Sequence, residues 1–436
     1  MLSKLCEWFG KSGWMIAPDS RTKDIKTIPL PIPQQVRIPV ESCIPTVKKG
    51  DEVKVGQIIA NHQQLNAVSI HASVSGRVTK IEDTLSINGL KTKEIIIDVD
   101  EMQMTDPTIQ PPIINNRKGF IDAIKRAGII HSTDEDFWID IEEKVGFDAL
   151  LINATEHELY LTTNYREIIE NSERILSGIL AISKQLNIEE VLIGIESINI
   201  EGIRILSEIL SKERLKYRNI AIKQLPVSYP QRAVKAFTKA CINRDVPLHT
   251  STIEMGVLVL GVIEVAAISS YLETGMPFLT KRITVDGSAI REPKNVLAPI
   301  GTRVKDIIDF CGGYQEVPVK ILQGGPMMGT ALLNDEATIS KATDAILAFG
   351  KKEARVHEES DCIRCGRCAK ECPMNLMPIT IDQAVRFNQI ERLMTLNPLA
   401  CIECGKCAFI CPANRYLVQT IKMGKVALKN QHTLKT

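Results

Sequence analysis

No stretch of this chain stays apolar for the roughly 20 residues that a helical membrane span needs. The most apolar run, GVLVLGVIEVAAI from Gly256, is shorter and carries Glu264 near its middle, so a buried strand or helix is expected there. Charge of one sign is lacking too: 53 Lys and Arg stand against 52 Asp and Glu, a formal net charge of +1. That balance creates no field to draw nucleic acid or an anionic membrane surface. The opening residues, MLSKLCEWFGKSGWMIAP, hold no sustained apolar segment, so no signal peptide and a cytoplasmic location are expected. In that compartment thiols stay reduced, which argues against a disulfide framework. What is present is length: 436 residues exceed one ordinary core and call for two to four domains.

Cysteine is present and unevenly placed. Of 12, eight lie between Cys362 and Cys411; the others are Cys6, Cys43, Cys241 and Cys311. DCIRCGRCAKECP and ACIECGKCAFICP each read C-x2-C-x2-C-x3-C-P, the second 39 residues after the first. Three thiols at intervals of three wrap one object with several corners, and a fourth sits just beyond, expected on a helix. A pair of zinc knuckles is the plainer alternative, but zinc ribbons separate two-cysteine knuckles and need four ligands, not eight. Two [4Fe-4S] cubanes fit better. In two-cluster ferredoxins the fourth cysteine of each motif ligates the other cluster. That rule puts Cys362, Cys365, Cys368 and Cys411 on one cluster, and Cys401, Cys404, Cys407 and Cys372 on the second. Gly366 and Gly405 are expected to let backbone amides reach the sulfurs. With every thiol assigned no iron is left open, so the module is a relay of single electrons. The intervening residues 377–397 show helical spacing at Ile381, Ala384, Val385, Ile390 and Leu393.

Upstream, VKKGDEVKVGQIIA and AVSIHASVSGRVTKIED read as short strands punctuated by glycine turns, a small all-β sandwich. The pattern resembles lipoyl and biotinyl domains, yet no lysine lies between Lys54 and Lys80 to carry a modification, so a structural role is expected. From about residue 115 to 272 helices and strands alternate: FIDAIKRAGII, then FDALLINAT, then YREIIENSERILSGILAISKQL, then EEVLIGIES. This order predicts a parallel α/β sheet with ligands at the strand C-termini. Asn153, Glu156 and Glu158, just after FDALLI, stand where a cofactor would bind; a merely polar strand end is the simpler reading. After Pro277, FLTKRITVDGSAIREPKNVLAPIGTRVKDIIDFCGG carries a hairpin signal at Asp286-Gly287 and reads as a ubiquitin-like α+β unit. GGPMMG is taken as a turn rather than a phosphate cradle, and Cys43 and Cys311 as packing residues.

In order, VKKGDEVKVGQ with HASVSGRV, INATEHELYLT, FLTKRITVDG, GTRVKDII, GGPMMG and the two cysteine motifs resemble the RnfC family of the Rnf electron-transport complex. Electron-transfer proteins of proline reductase and cobalamin reductases share this build. The resemblance implies a multidomain α/β and α+β chain. Its parts would be a barrel-sandwich domain over 25–100, a Rossmann-like complex I flavoprotein-type domain over 115–272, an SLBB β-grasp domain over 276–345 and a helical two-[4Fe-4S] ferredoxin domain over 352–424. It further implies FMN and NADH sites, protein redox partners, and membrane association only through a complex.

The chain departs from that family pattern at the cofactor contacts. A glycine-rich run ending in Phe-Pro is usual after the FIDAIKRAG helix, where backbone amides meet the flavin phosphate. Here Gly128 remains, but Ile130, His131, Ser132, Thr133, Asp134 and Glu135 follow. Each carboxylate about 4 Å from a phosphate would cost on the order of 1–4 kcal/mol. INATEHELYLT keeps Asn153, Ala154, Glu156, Glu158 and Tyr160 but has His157 for cysteine and Leu159 for proline. SYPQRAVKAF keeps Tyr229 and Pro230 but has Arg232 for glycine. The expectation is an electron carrier with intact clusters and an eroded flavin and NADH site. An FMN-dependent NADH oxidoreductase is the alternative.

Overall fold

The computed structural model describes residues 9–10, 13–14, 20–40, 43–62, 68–85, 91–131, 137–156, 158–231, 233–248 and 250–433. The chain forms two compact units. The first is built from residues 1–246, 251–325 and 330–353, the second from 247–250, 326–329 and 354–436.

In the first unit, alternation as in QVRIP, whose Val36 and Ile38 point inward, makes half-buried strands. Gln35–Pro39, Lys91–Val99, Gly76–Leu85 and Glu52–Val53 form a four-stranded antiparallel sheet in that order. Cys43–Pro45, Ile58–His62 and Ile70–His71 form a second, three-stranded sheet. Ile59, Val74, Val78, Ile95 and Ile97 fill the core of this part of the chain. A Cβ on Gly76 would fall 2.0 Å from the Asp98 carbonyl oxygen, so only glycine lets those two strands pair. Residues 63–67, between Ile58–His62 and Ile70–His71, lie outside the described residues.

The next segment is a four-stranded parallel sheet ordered Ile220–Leu225, Glu190–Glu196, Ala149–Asn153, Val257–Gly261. Ala149–Asn153 is buried throughout, which explains its unbroken apolar run. The apolar GVLVLGVIEVAAI is both structures expected of it: a strand ending at Gly261, then the helix Val262–Thr274. Glu264 caps that helix, accepting from the Gly261 N–H at 2.7 Å. Gly178 lets the long helix Thr163–Leu186 close against Val265.

The third sheet has six strands, ordered Thr330–Ala331, Lys320–Gln323, Ala345–Phe349, Thr280–Asp286, Lys294–Pro299, Thr27–Pro29. Helix Val304–Phe310 covers it, and Cys311 is fully buried in the core, as expected of a packing thiol. Its edge strand comes from far upstream. Thr27–Pro29 joins this sheet and not the barrel-sandwich, and Arg21 anchors the connection on buried Asp286 at 2.6 Å. The hairpin signalled at Asp286-Gly287 is present and longer than a two-residue turn: Val285 pairs with Lys294, so the connection runs over 287–293. Asp286 is committed to Arg21, and Gly287 presses against the Ala348 carbonyl, so neither sits at a two-residue tip.

The second unit is helical. The single helix expected over 377–397 is two, Pro378–Arg386 and Ile390–Thr395, broken where Asn388 turns left-handed at φ 52°. Ile381, Ala384 and Leu393 still share one core with Ile421 of the helix Leu417–Thr433.

Candidate functional site

The two cysteine loops fold alike, residue for residue. Arg364 and Glu403 are left-handed at φ 55° and 58°, Gly366 and Gly405 at 73° and 78°, Asn375 and Asn414 at 52° and 50°. These turns aim amides at sulfur: the Arg364 N–H donates to Cys362 Sγ, the Glu403 N–H to Cys401 Sγ and the Leu376 N–H to Cys372 Sγ, each at 3.4 Å. The glycines serve the turn itself. A Cβ on Gly366 would meet nothing, whereas one on Gly405 would fall 2.9 Å from the Met327 carbonyl oxygen. The third cysteine of each motif, not the fourth, is helical: Cys368 lies in Arg367–Lys370 and Cys407 in Lys406–Phe409. The fourth follows after the helix has stopped, which lets it leave its own loop.

It does leave. Burial pushes the Cys404 thiol up to about 11, with Cys401 and Cys372 adding to the rise. Cys407 is raised further by burial and by Cys401, Cys404 and Cys372. Cys368, in turn, is raised by burial and by Cys411 and Cys362. Cys372 therefore stands among the thiols of the second motif, and Cys411 among those of the first. Among the described residues no three His, Cys, Asp or Glu side chains converge as they would around one ion. Sulfurs on two crossed sets, each met by backbone amides, fit cubane clusters. The loops differ at their second cysteine: Cys365 is exposed and Cys404 buried, while the third cysteines, Cys368 and Cys407, are both buried. Glu403 is ion-paired to Lys425 at 2.7 Å and to Lys422 at 3.4 Å.

In the first unit a pocket opens at the C-terminal ends of the parallel strands, where it is expected. Glu156, Glu158 and Tyr229 line it, so two of the three partly kept elements converge. Asn153 does not line it: its Oδ1 accepts from the Thr155 N–H and hydroxyl at 3.2 and 2.7 Å, closing a local turn. Glu156 Oε1 accepts from the Tyr165 N–H at 2.8 Å, at the start of the long helix. Gly325 belongs here too. A Cβ on it would fall 2.2 Å from Glu158 Cδ, so a bare glycine lets this turn lie against that carboxylate. Sequence reasoning missed Glu196 and Lys23, which also line the pocket. Glu196 ends the strand EEVLIGIE, and its position at a strand C-terminus was the available signal.

Burial pushes Glu196 up to about 7, against the opposing Glu156 N–H and Lys23 charge. Folding therefore holds a proton that the unfolded chain releases above pH 4.5. Stability falls as pH rises from about 4.5 to 7, and the penalty is complete above that window. We expect Glu196→Gln to unfold at the same temperature as the parent near pH 4. At pH 8 it should gain up to about 3 kcal/mol, read from thermal melts across pH.

Ile130 and His131, the first two departures in the glycine loop, face elsewhere: both line a separate cavity. Ser132, Thr133, Asp134, Glu135, His157 and Arg232 lie outside the described residues.

This assembly defines an iron-sulfur electron-transfer protein carrying a flavoprotein-type α/β domain. Four family models match in order: the RnfC barrel sandwich hybrid domain at residues 17–102, the Nuo51 FMN-binding domain at 130–270, the SLBB domain at 282–331 and the 4Fe-4S dicluster domain at 351–415. The RnfC protein of a proton-translocating ferredoxin:NAD(+) oxidoreductase complex from Clostridium ljungdahlii is 37% identical, covering 83% of this chain and 82% of that one. Its counterpart in the Na(+)-translocating complex of Acetobacterium woodii is 32% identical, covering 94% and 95%. The counterpart in an ion-translocating oxidoreductase complex of Rhodobacter capsulatus is 31% identical, covering 95% and 82%. The chain belongs to the RnfC family. It is a two-[4Fe-4S] protein, with the barrel-sandwich, flavoprotein-type, SLBB and ferredoxin parts expected. No helix among the described residues is long and apolar enough to cross a membrane.

Proposed function

We propose that this protein relays single electrons as the soluble-faced part of an Rnf-type oxidoreductase complex, peripheral to the membrane through its partners. Cys362, Cys365, Cys368 and Cys411 hold one cluster; Cys401, Cys404, Cys407 and Cys372 hold the other. The clusters, when bound, take and release one electron at a time. The chain supplies the thiolates, the amides on sulfur, and unequal exposure of the two sites. Amides and burial are the levers by which a protein sets cluster potential. The proposal rests on the crossed thiol sets.

A flavin at the strand-end pocket is the second reading, favoured by the FMN-binding-domain match over 130–270. The described lining is poor in groups that hold a phosphate. Three carboxyls, Glu156, Glu158 and Glu196, face it with Lys23 as the sole ammonium among its lining residues. Such a lining repels a dianion, whereas a strand-end site for phosphate offers bare amides or guanidinium groups. Anaerobically purified protein, reconstituted with iron, sulfide and FMN and then desalted, should carry well under one FMN per chain in an acid extract. About one FMN per chain, with NADH reducing the clusters in stoichiometric amount, would establish the NADH-oxidoreductase reading instead.

A further inference from the structure

The second cavity of the first unit, about 160 Å³, is used by nothing described above. Its wall is mostly apolar, with Ile38, Val68, Ile70, Ile130, Phe278 and Ile300. Polar side chains interrupt it: His62, Ser73, His131 and Ser340, and the two that carry the argument, His71 and Lys341. His71 is 94% buried at the cavity wall. Its Nδ1 is buried and meets no partner. In the neutral tautomer that carries its proton on the other nitrogen, Nδ1 presents a lone pair. An imidazole so placed resists protonation: burial, then Lys341, lower it to about 3. It stays a neutral acceptor across the working pH range. Lys341 faces the same cavity, held by a 2.6 Å bond from Nζ to the Gly128 carbonyl. The ammonium and Nδ1 lie within 2.6 and 3.1 Å of one point beside Gly128, so they are near neighbours.

We propose that this cavity binds a small uncharged carboxamide or lactam carried on an apolar ring. An N–H of such a group satisfies the His71 lone pair, and its carbonyl turns to Lys341. A buried acceptor without a donor costs about 1–3 kcal/mol, which a donor group on the ligand recovers. The apolar wall takes the ring, as in most small-molecule sites. A carboxylate lacks the N–H, and a hydrocarbon lacks both polar ends. This site is separate from the strand-end pocket and does not depend on whether that pocket holds flavin.

The test is calorimetric titration of benzamide, and separately of benzoate, into the reconstituted full chain. Saturable binding of one benzamide is expected, with benzoate at least tenfold weaker. His71→Phe and Lys341→Met should each weaken benzamide at least tenfold while leaving cluster absorbance and melting temperature near the parent values. If His71→Phe fails to fold, Lys341→Met decides alone. Absence of saturable benzamide binding overturns the proposal, as does binding undiminished in both variants. Tighter binding of benzoate overturns the assigned ligand class. A His71→Phe protein that melts higher than a parent that binds no benzamide marks the cavity as merely hydrated.

Discussion

Replacing Cys372 by alanine should cost the reconstituted protein about four of its about eight iron atoms, and adding Cys404→Ala should cost no more. Pairing Cys372→Ala with Cys365→Ala should instead empty both sites. The logic is that of a double-mutant cycle: two lesions in one cluster overlap, and two lesions in different clusters add. If each motif held its own cluster, the outcomes would reverse. Cys372→Ala with Cys365→Ala would then spare about four iron atoms, and Cys372→Ala with Cys404→Ala would leave almost none. The structure supplies the reason to expect crossing, because Cys401, Cys404 and Cys407 each feel Cys372 as a neighbouring thiol. Iron and acid-labile sulfide per chain, measured anaerobically on all four proteins, separate the schemes. Loss of all iron from Cys372→Ala alone would mean that the clusters are not independent, and the assignment would fail.

Much of this architecture is legible in the sequence because it is local. The spacing of four cysteines fixes the geometry of each loop within eleven residues, and the left-handed turns at Gly366 and Gly405 follow from glycine. The parallel sheet announces itself by apolar runs between amphipathic helices, and Glu156 and Glu158 follow from where a strand ends. What is not legible depends on distant segments meeting. Lys23 reaches the strand-end pocket from more than a hundred residues upstream of Glu156. Glu196 matters only because packing removes water from it, and no pattern of neighbours encodes that burial. Asn153 reads as a cofactor residue by position, yet Thr155 two residues on captures its side chain. The break at Asn388 escapes periodicity for a similar reason. A single left-handed asparagine stops a helix without disturbing the apolar spacing on either side.

The larger stability effect lies beside the clusters, at Asp382. This carboxylate is fully buried between the two halves of the cysteine domain. Arg386, one turn along its own helix, donates Nε to Oδ1 at 2.8 Å. Arg415, three residues after Pro412, donates Nη2 to Oδ2 at 2.7 Å. Arg386 is further held by Glu359 at 2.7 Å, so one acid joins the approach to the first motif to the exit from the second. Burial alone would raise Asp382, but the two guanidinium groups win and hold it below the ordinary aspartate range. Removing one partner from a buried charge network leaves the others uncompensated, a loss of about 3–5 kcal/mol. Asp382→Ala should therefore lower the denaturation midpoint of the reconstituted protein by that free energy, under anaerobic urea titration near pH 7. Asp382→Asn keeps the shape and loses the charge, so it should recover only a minor part. Full recovery by asparagine would mean that packing, not ion pairing, holds the site. The pH dependence carries the same sign: a depressed carboxyl stabilises above its unfolded value near 4, and that contribution is lost as pH falls through the folded value. The gap between parent and Asp382→Ala should thus narrow only in acid, and a gap that narrows instead toward alkaline pH would assign the effect to another group.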